Sequence, residues 1–200
     1  MSTKMMNRRA ILQNWMALTA ASVPLGMLAS EGAAKPTELQ ATPACGADDA
    51  PTRPGSEGPY YSPRPPAKSD FRADASGEPV TLHGFVRTRD CQPIVGASVD
   101  LWHADAQGEY DNSGYRLRGY QLTDSLGRYV FQTIIPAPYD WRTRHFHVKV
   151  QPPGGRLLTT QLYFPDEPRN TADFLFHPRL LMDVRGAVDG KVARFDFVLA

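Results

Sequence analysis

Two hundred residues, 42% hydrophobic and 22% charged, describe one ordinary globular domain with something to spare, neither disordered nor fibrous. A net charge of +1 gives no electrostatic case for nucleic acid or an acidic membrane surface as a partner. Eighteen Pro and 16 Gly imply many turns and few long helices.

The chain opens like an export signal. Lys4 and Arg8–Arg9 form a basic start, a mostly apolar run extends to Ala29, and Gly32–Ala34 offers a cleavage-type stretch. Asn7 to Gln13 is similar to the twin-arginine export motif. An uncleaved membrane anchor and an unstructured N-terminus are the competing readings. Export predicts a periplasmic or extracellular protein whose mature form has no membrane contact. Cys45 and Cys91 suit an oxidising compartment, and neither lies in a C-x-x-C. A bridge between them would tie the Pro-rich N-terminal segment to the domain body, contributing about 4 kcal/mol. Two free thiols are the other reading.

Residues 35–78 are rich in Pro, Gly, Asp and Ser and predict an extended arm. Gly58-Pro-Tyr-Tyr61 and Phe71 give that arm aromatic anchors. From residue 80 the signals are short strands. Val80–Val86 alternates, and Ala97–His103 sets Val99, Leu101 and His103 against Ser98, Asp100 and Trp102. Tyr129–Ile135 follows the turn Asp124–Gly127; then come Phe146–Val150, Leu157–Phe164 and Ala193–Leu199. Thr171–Arg179 reads as a short helix or a turn. Six or seven strands without a periodic helix predict an all-β sandwich over 79–200, after a signal peptide over 1–34 and the arm over 35–78.

Four residues carry the candidate chemistry. His145 and His147 are i and i+2 on a predicted strand, so both imidazoles point to one side, with Phe146 and Val148 toward a core. An H-x-H alone is a weak metal signal. Tyr110 and Tyr139 sharpen it. A phenol with a pKa of about 10 ligates at neutral pH only to a strongly acidic ion. Fe(III) qualifies; Zn(II) and Fe(II) do so poorly. Two tyrosinates and one hydroxide would neutralise the 3+ charge, and two neutral imidazoles would complete the shell. Against this stands the commoner fate of tyrosine, as a core or loop aromatic.

The segments around these residues occur in a telling order: Gly96 to Tyr110, Thr123 to Phe131, Ile135-Pro-Ala-Pro-Tyr139, Trp141-Arg-Thr-Arg-His-Phe-His147 and Thr160-Gln-Leu-Tyr-Phe164. That order resembles the intradiol ring-cleavage dioxygenases, the family of protocatechuate 3,4-dioxygenase and catechol 1,2-dioxygenase. Gly58-Pro-Tyr-Tyr61 is similar to the family's N-terminal motif. The resemblance covers about residues 58–164.

It implies a catalytic β-sandwich of the family's transthyretin-like type. It implies Tyr110 and His145 as equatorial and Tyr139 and His147 as axial ligands of Fe(III). Arg142 and Gln161 match residues that face the bound substrate. Tyr139 would also accept a substrate proton on leaving the metal. The implied reaction cleaves a catechol between its hydroxyl-bearing carbons, incorporating both atoms of O2, to a cis,cis-muconate-type product. Arg144 has no implied role and reads as a solvated strand-end charge. His103 and Asp105 read as a structural histidine and a turn carboxylate, or as groups supporting Tyr110. Tyr60, Tyr61 and Trp141 could line the pocket or simply pack.

Only Asp140–Arg144 separate Tyr139 from His145, whereas the cytoplasmic members of the family have a longer loop. The helical dimerisation region of catechol 1,2-dioxygenases is also absent, so the oligomeric state stays open, a homo-oligomer included. The residues leave two further functions open. One is a non-catalytic β-sandwich binding module. The other is a different metalloenzyme built on His145, His147 and a carboxylate such as Asp105.

Overall fold

The computed structural model describes residues 50–200. The expected signal peptide and Cys45 lie outside the described residues. Cys91 is not a free thiol.

Among the described residues nine strands form two sheets: β1 (Pro79–Thr88), β2 (Ser98–Trp102), β3 (Arg118–Leu122), β4 (Arg128–Ile134), β5 (His145–Gln151), β6 (Leu158–Tyr163), β7 (Asp183–Ala187), β8 (Gly190–Arg194) and β9 (Phe197–Leu199). One sheet runs β4-β1-β8-β7, with β9 also on β1; the other runs β3-β2-β5-β6. Strand alternation puts Val99, Leu101, Phe146, Val148, Val150 and Leu162 on the inner face of the second sheet. They meet Val80, Leu82, Tyr129, Phe131, Ala193 and Phe197 from the first. This is the expected all-β sandwich, its single apolar core lying between the sheets.

Two strands exceed the expected six or seven because they carry no alternation signal. β3 reads Arg-Gly-Tyr-Gln-Leu, and β7 is an exposed edge strand, Asp-Val-Arg-Gly-Ala. The expected strand over 193–199 is in fact two. The Asp196 carboxylate accepts the Phe85 amide at 3.2 Å, and the Phe195 carbonyl takes the Tyr129 hydroxyl at 2.8 Å. Those side-chain bonds replace the ladder at the break between β8 and β9. Thr171–Arg179 is neither a helix nor a single turn. Two 3-10 turns, Pro168–Thr171 and Pro178–Leu180, stand at its ends.

Residues 50–78 contain no strand, only isolated bridges such as Ala67–Tyr120 and Asp70–Gln132. The segment is held by backbone bonds to the sandwich. The Gly55 amide donates to the Thr159 carbonyl at 2.9 Å, and the Thr160 hydroxyl donates to the Arg53 carbonyl at 2.8 Å. Beyond β6 it crosses the outer face of the second sheet, where the candidate site lies: the Ser56 carbonyl accepts from Gln161 Nε2 at 2.8 Å and the Tyr61 hydroxyl donates to Asp100 at 2.9 Å.

Candidate metal centre

The outer face of β5 carries His145 and His147, both buried. Register sets their neighbours. His147 is paired with Trp102 on β2 and Gln161 on β6, and His145 with Tyr163 on β6. Since paired residues share a face, Trp102, Gln161 and Tyr163 stand beside the imidazoles. The Trp102 ring stacks on His147 at 4.9 Å and 11°.

Both tyrosines arrive on loops laced together at one point. Asp105 accepts the Gln107 and Glu109 amides at 2.9 and 3.0 Å, shaping the turn that ends in Tyr110. The Ala137 amide donates to the Asp105 carbonyl at 2.9 Å, tying the Tyr139 segment to that turn. Gly108 (φ +88°) sits where a Cβ would come within 3.2 Å of the Pro138 carbonyl and Tyr139 Cβ. After Tyr139 the chain reverses at once. Asp140 takes a left-handed φ of 46°, and the Arg142 amide donates to the Tyr139 carbonyl at 2.8 Å. The five-residue link to His145 is thus closed by a tight turn right after Tyr139.

The four candidate rings form a closed circuit. Centroid separations are 4.7 Å for His145–His147, 5.8 Å for Tyr139–His145, 5.4 Å for Tyr110–Tyr139 and 6.1 Å for Tyr110–His147. Burial pushes both phenols above their ordinary range, so neither ionises near neutral pH without an added cation. Burial, with Arg142 nearby, pulls His145 down to about 3; burial and His145 pull His147 well down. Both imidazoles are therefore neutral, the form that binds metal.

The polar groups here fit a metal better than they fit one another. Tyr110's hydroxyl is buried and makes no well-formed hydrogen bond; the polar side chain it faces is the second phenol, Tyr139. The Thr143 carbonyl, 2.7 Å from His145 Nδ1, can only accept, so that nitrogen carries the proton and Nε2 presents its lone pair. That lone pair faces His147 Nε2 at 3.1 Å. Two imidazole nitrogens this close, with at least one lone pair turned to the other, could be shared by one ion. Among the described residues no cluster of three or more His, Cys, Asp or Glu could hold a metal ion. Asp105 is committed to its turn and to Arg116 at 3.2 Å. A metal here would need the phenols.

Behind this circuit lies a buried polar chain. Arg142 Nη2 donates to Gln161 Oε1. Gln161 Nε2 donates to the Ser56 carbonyl at 2.8 Å, and the Tyr163 hydroxyl lies 2.7 Å from Gln161 Oε1. On its other edge Arg142 Nε pairs with Asp173 at 2.9 Å, almost wholly out of water. Asp173 also accepts the Thr143 amide at 3.0 Å.

Three supporting residues escape sequence reasoning. Asp173 has no motif around it. Tyr163 lies inside the Thr160–Phe164 segment but reads there as plain strand. Arg118, on β3, is buried and donates to the carbonyls of Asp111, which follows Tyr110, and of Tyr60, which stacks on it, tying the two segments together. Only the strand-face partners could have been found, by pairing β5 with β6 before naming roles.

The remaining expectations sort cleanly. His103 is structural, bonded to the Ala104 carbonyl and the Thr133 hydroxyl at 2.7 Å each. Arg144 is not merely solvated; it meets Glu167 at 3.0 Å. Tyr60 stacks on Tyr110 at 4.4 Å, whereas Tyr61 turns away to bond Asp100 at 2.9 Å. Trp141 is exposed.

The sandwich has known relatives. A family model described as Dioxygenase matches residues 56–200. Chlorocatechol 1,2-dioxygenase of Pseudomonas sp. (strain P51) is 30% identical over 176 residues, 74% of this chain and 70% of that protein. Catechol 1,2-dioxygenase of Pseudomonas sp. (strain EST1001) is 32% identical, but this chain spans only 50% of its length. Among solved structures, the dioxygenase domain of a dioxygenase carbohydrate-binding protein fusion from Streptomyces sp. SirexAA-E superposes with a TM-score of 0.73. It is 48% identical, over 75% of this chain and 98% of that one. With this sandwich and these relatives, the chain belongs to the intradiol ring-cleavage dioxygenases, a family of oxidoreductases.

Proposed function

We propose that this chain is a non-haem Fe(III) enzyme that cleaves catechol-type rings between the two hydroxyl-bearing carbons, consuming one O2 per ring and giving cis,cis-muconate-type products. The observation that carries the reading is the four-ring circuit itself, in which two buried phenols and two neutral imidazoles face one another. The relatives act, by name, on catechol and chlorocatechol.

Tyr110, Tyr139, His145 and His147 would hold the ion. When bound, ferric iron would supply the Lewis acidity that keeps the substrate as a catecholate and opens its ring to O2. The chain's own groups do the rest. Tyr139, half-buried and set in a tight turn, is placed to take a substrate proton at its phenolic oxygen. Arg142 presents a planar guanidinium, and Gln161 and Asp173 fix it from two sides. It is thereby aimed to stabilise the negative charge on the substrate as the ring opens. Tyr60, over Tyr110, and Gly58, over His147, exclude water from that side. A Cβ on Gly58 would stand 3.1 Å from His147 Cε1.

We also propose export through the N-terminal segment and a bridge from Cys91 to Cys45. Cell fractionation with mass analysis of the mature chain, before and after reduction, checks both. Oxygen uptake on catechol, with the product spectrum, tests the activity. A Tyr139→Phe variant that keeps the parent's visible absorbance and oxygen uptake contradicts the site.

A further inference from the structure

Trp141 and Phe174 are 47% and 79% exposed, yet their rings stack at 4.3 Å and 15°. Among the described residues this is the one stacked ring pair with both members exposed. Other large exposed apolar side chains, such as Leu122 and Val188, are unremarkable on a soluble surface. A stacked pair is different, because it presents a flat apolar face in a preset orientation.

The pair is anchored to the site. Trp141 precedes Arg142 and Phe174 follows Asp173, and those neighbours form the buried ion pair at 2.9 Å. Thr143 adds two bonds beneath it, its amide to Asp173 at 3.0 Å and its hydroxyl to Asn170 at 2.9 Å. The two segments are thus zipped together under the rings. The Trp141 ring lies 5.1 Å from the Arg142 guanidinium carbon, and Arg142 reaches Gln161, the strand partner of His147. The five-residue link from Tyr139 to His145 leaves no loop to cover the pair.

We propose that Trp141 and Phe174 form a specificity platform for a second aromatic ring, so that the substrate class includes catechols bearing an aryl substituent. The inference rests on the reading of the centre as a catechol dioxygenase. Aryl is the fitting chemistry because a flat aromatic face gains most from an offset-stacked ring. Two side chains are too small a surface for a stable protein partner, which needs about 800 Å² on each side.

The test uses the iron-loaded full chain with catechol and 4-phenylcatechol as probes. Phe174→Ala, at an exposed position, is expected to raise KM for 4-phenylcatechol about 3- to 10-fold. KM and kcat for catechol should stay within about twofold, and Phe174→Tyr should restore the parent's discrimination. Equal changes for both probes, or none, overturn the platform. If the parent turns over neither probe, the functional reading fails on its own. The platform is then decided by tryptophan-fluorescence titration. Weaker 4-phenylcatechol binding in Phe174→Ala upholds it, and unchanged binding overturns it.

Discussion

Two clusters share the outer face of the second sheet, and both use β5. At one end Lys149 pairs with Glu57 and with the Thr159 hydroxyl at 3.1 Å, while Asp100 accepts the Tyr61 hydroxyl at 2.9 Å. The Lys149 ammonium also lies 4.5 Å from the centre of the Tyr61 ring. Two residues along the strand, the imidazole nitrogens of His145 and His147 face each other at 3.1 Å, and the Tyr110 hydroxyl, without a well-formed hydrogen bond, faces only the second phenol, Tyr139. The first cluster is closed: each charge meets another protein group. The second is open, although it is at least as well buried. Buried polar atoms are nearly always satisfied, so the difference locates where something from outside the chain belongs. A polar cluster need not be a site; an unsatisfied one asks for a ligand.

The contrast can be broken at either end. The largest effect is expected from Arg142→Ala, which should lower kcat on catechol by about 10² or more while the protein keeps its metal. Metal loss at equal stoichiometry to activity would instead make Arg142 a scaffold residue. Next comes Asp173→Ala, which strands the buried guanidinium and should lower unfolding free energy by about 3–5 kcal/mol in denaturant titration. A loss below about 1 kcal/mol would mean that water reaches the pair.

The closed cluster should answer to pH. Burial raises the Asp100 carboxyl to about 6, against the partial opposition of Tyr61 and Lys149. The folded state then binds this proton more tightly than the unfolded state. Its stabilising contribution is present below about pH 4 and is lost as pH rises through about 6. Relative to Asp100→Asn, the parent should therefore lose on the order of 1–3 kcal/mol between pH 4 and 7. A flat difference across that range would contradict the burial. The smallest effect is expected at Gly58, whose φ of +71° makes Gly58→Ala cost about 1 kcal/mol. Calorimetry should find that cost together with a shifted visible band, because the new methyl group presses on His147.

The H-x-H of β5 carried its own geometry in the sequence, since period-two alternation sends 145 and 147 one way and 146 and 148 the other. Five of the strands were also visible near their true ends, because each alternates or is rich in β-branched and aromatic residues. Arg118 stayed hidden because Arg-Gly-Tyr-Gln-Leu has no apolar period. Asp173 stayed hidden because its partner is 31 residues away, and nothing local distinguishes a buried carboxylate from a loop carboxylate. Trp141 was visible as a residue but not as half of a pair. Its stacking depends on the ion pair that draws residue 174 beside it. The pattern is physical: local periodicity determines which face a side chain takes, while long-range pairing decides what it meets there.

The most direct test is the metal content and visible spectrum of the purified full chain, compared with Tyr110→Phe. About one iron per chain and a red-brown phenolate-to-iron band, weakened by Tyr110→Phe, are expected. A colourless protein holding stoichiometric zinc, or a band indifferent to the loss of the Tyr110 hydroxyl, would contradict the ferric four-residue centre.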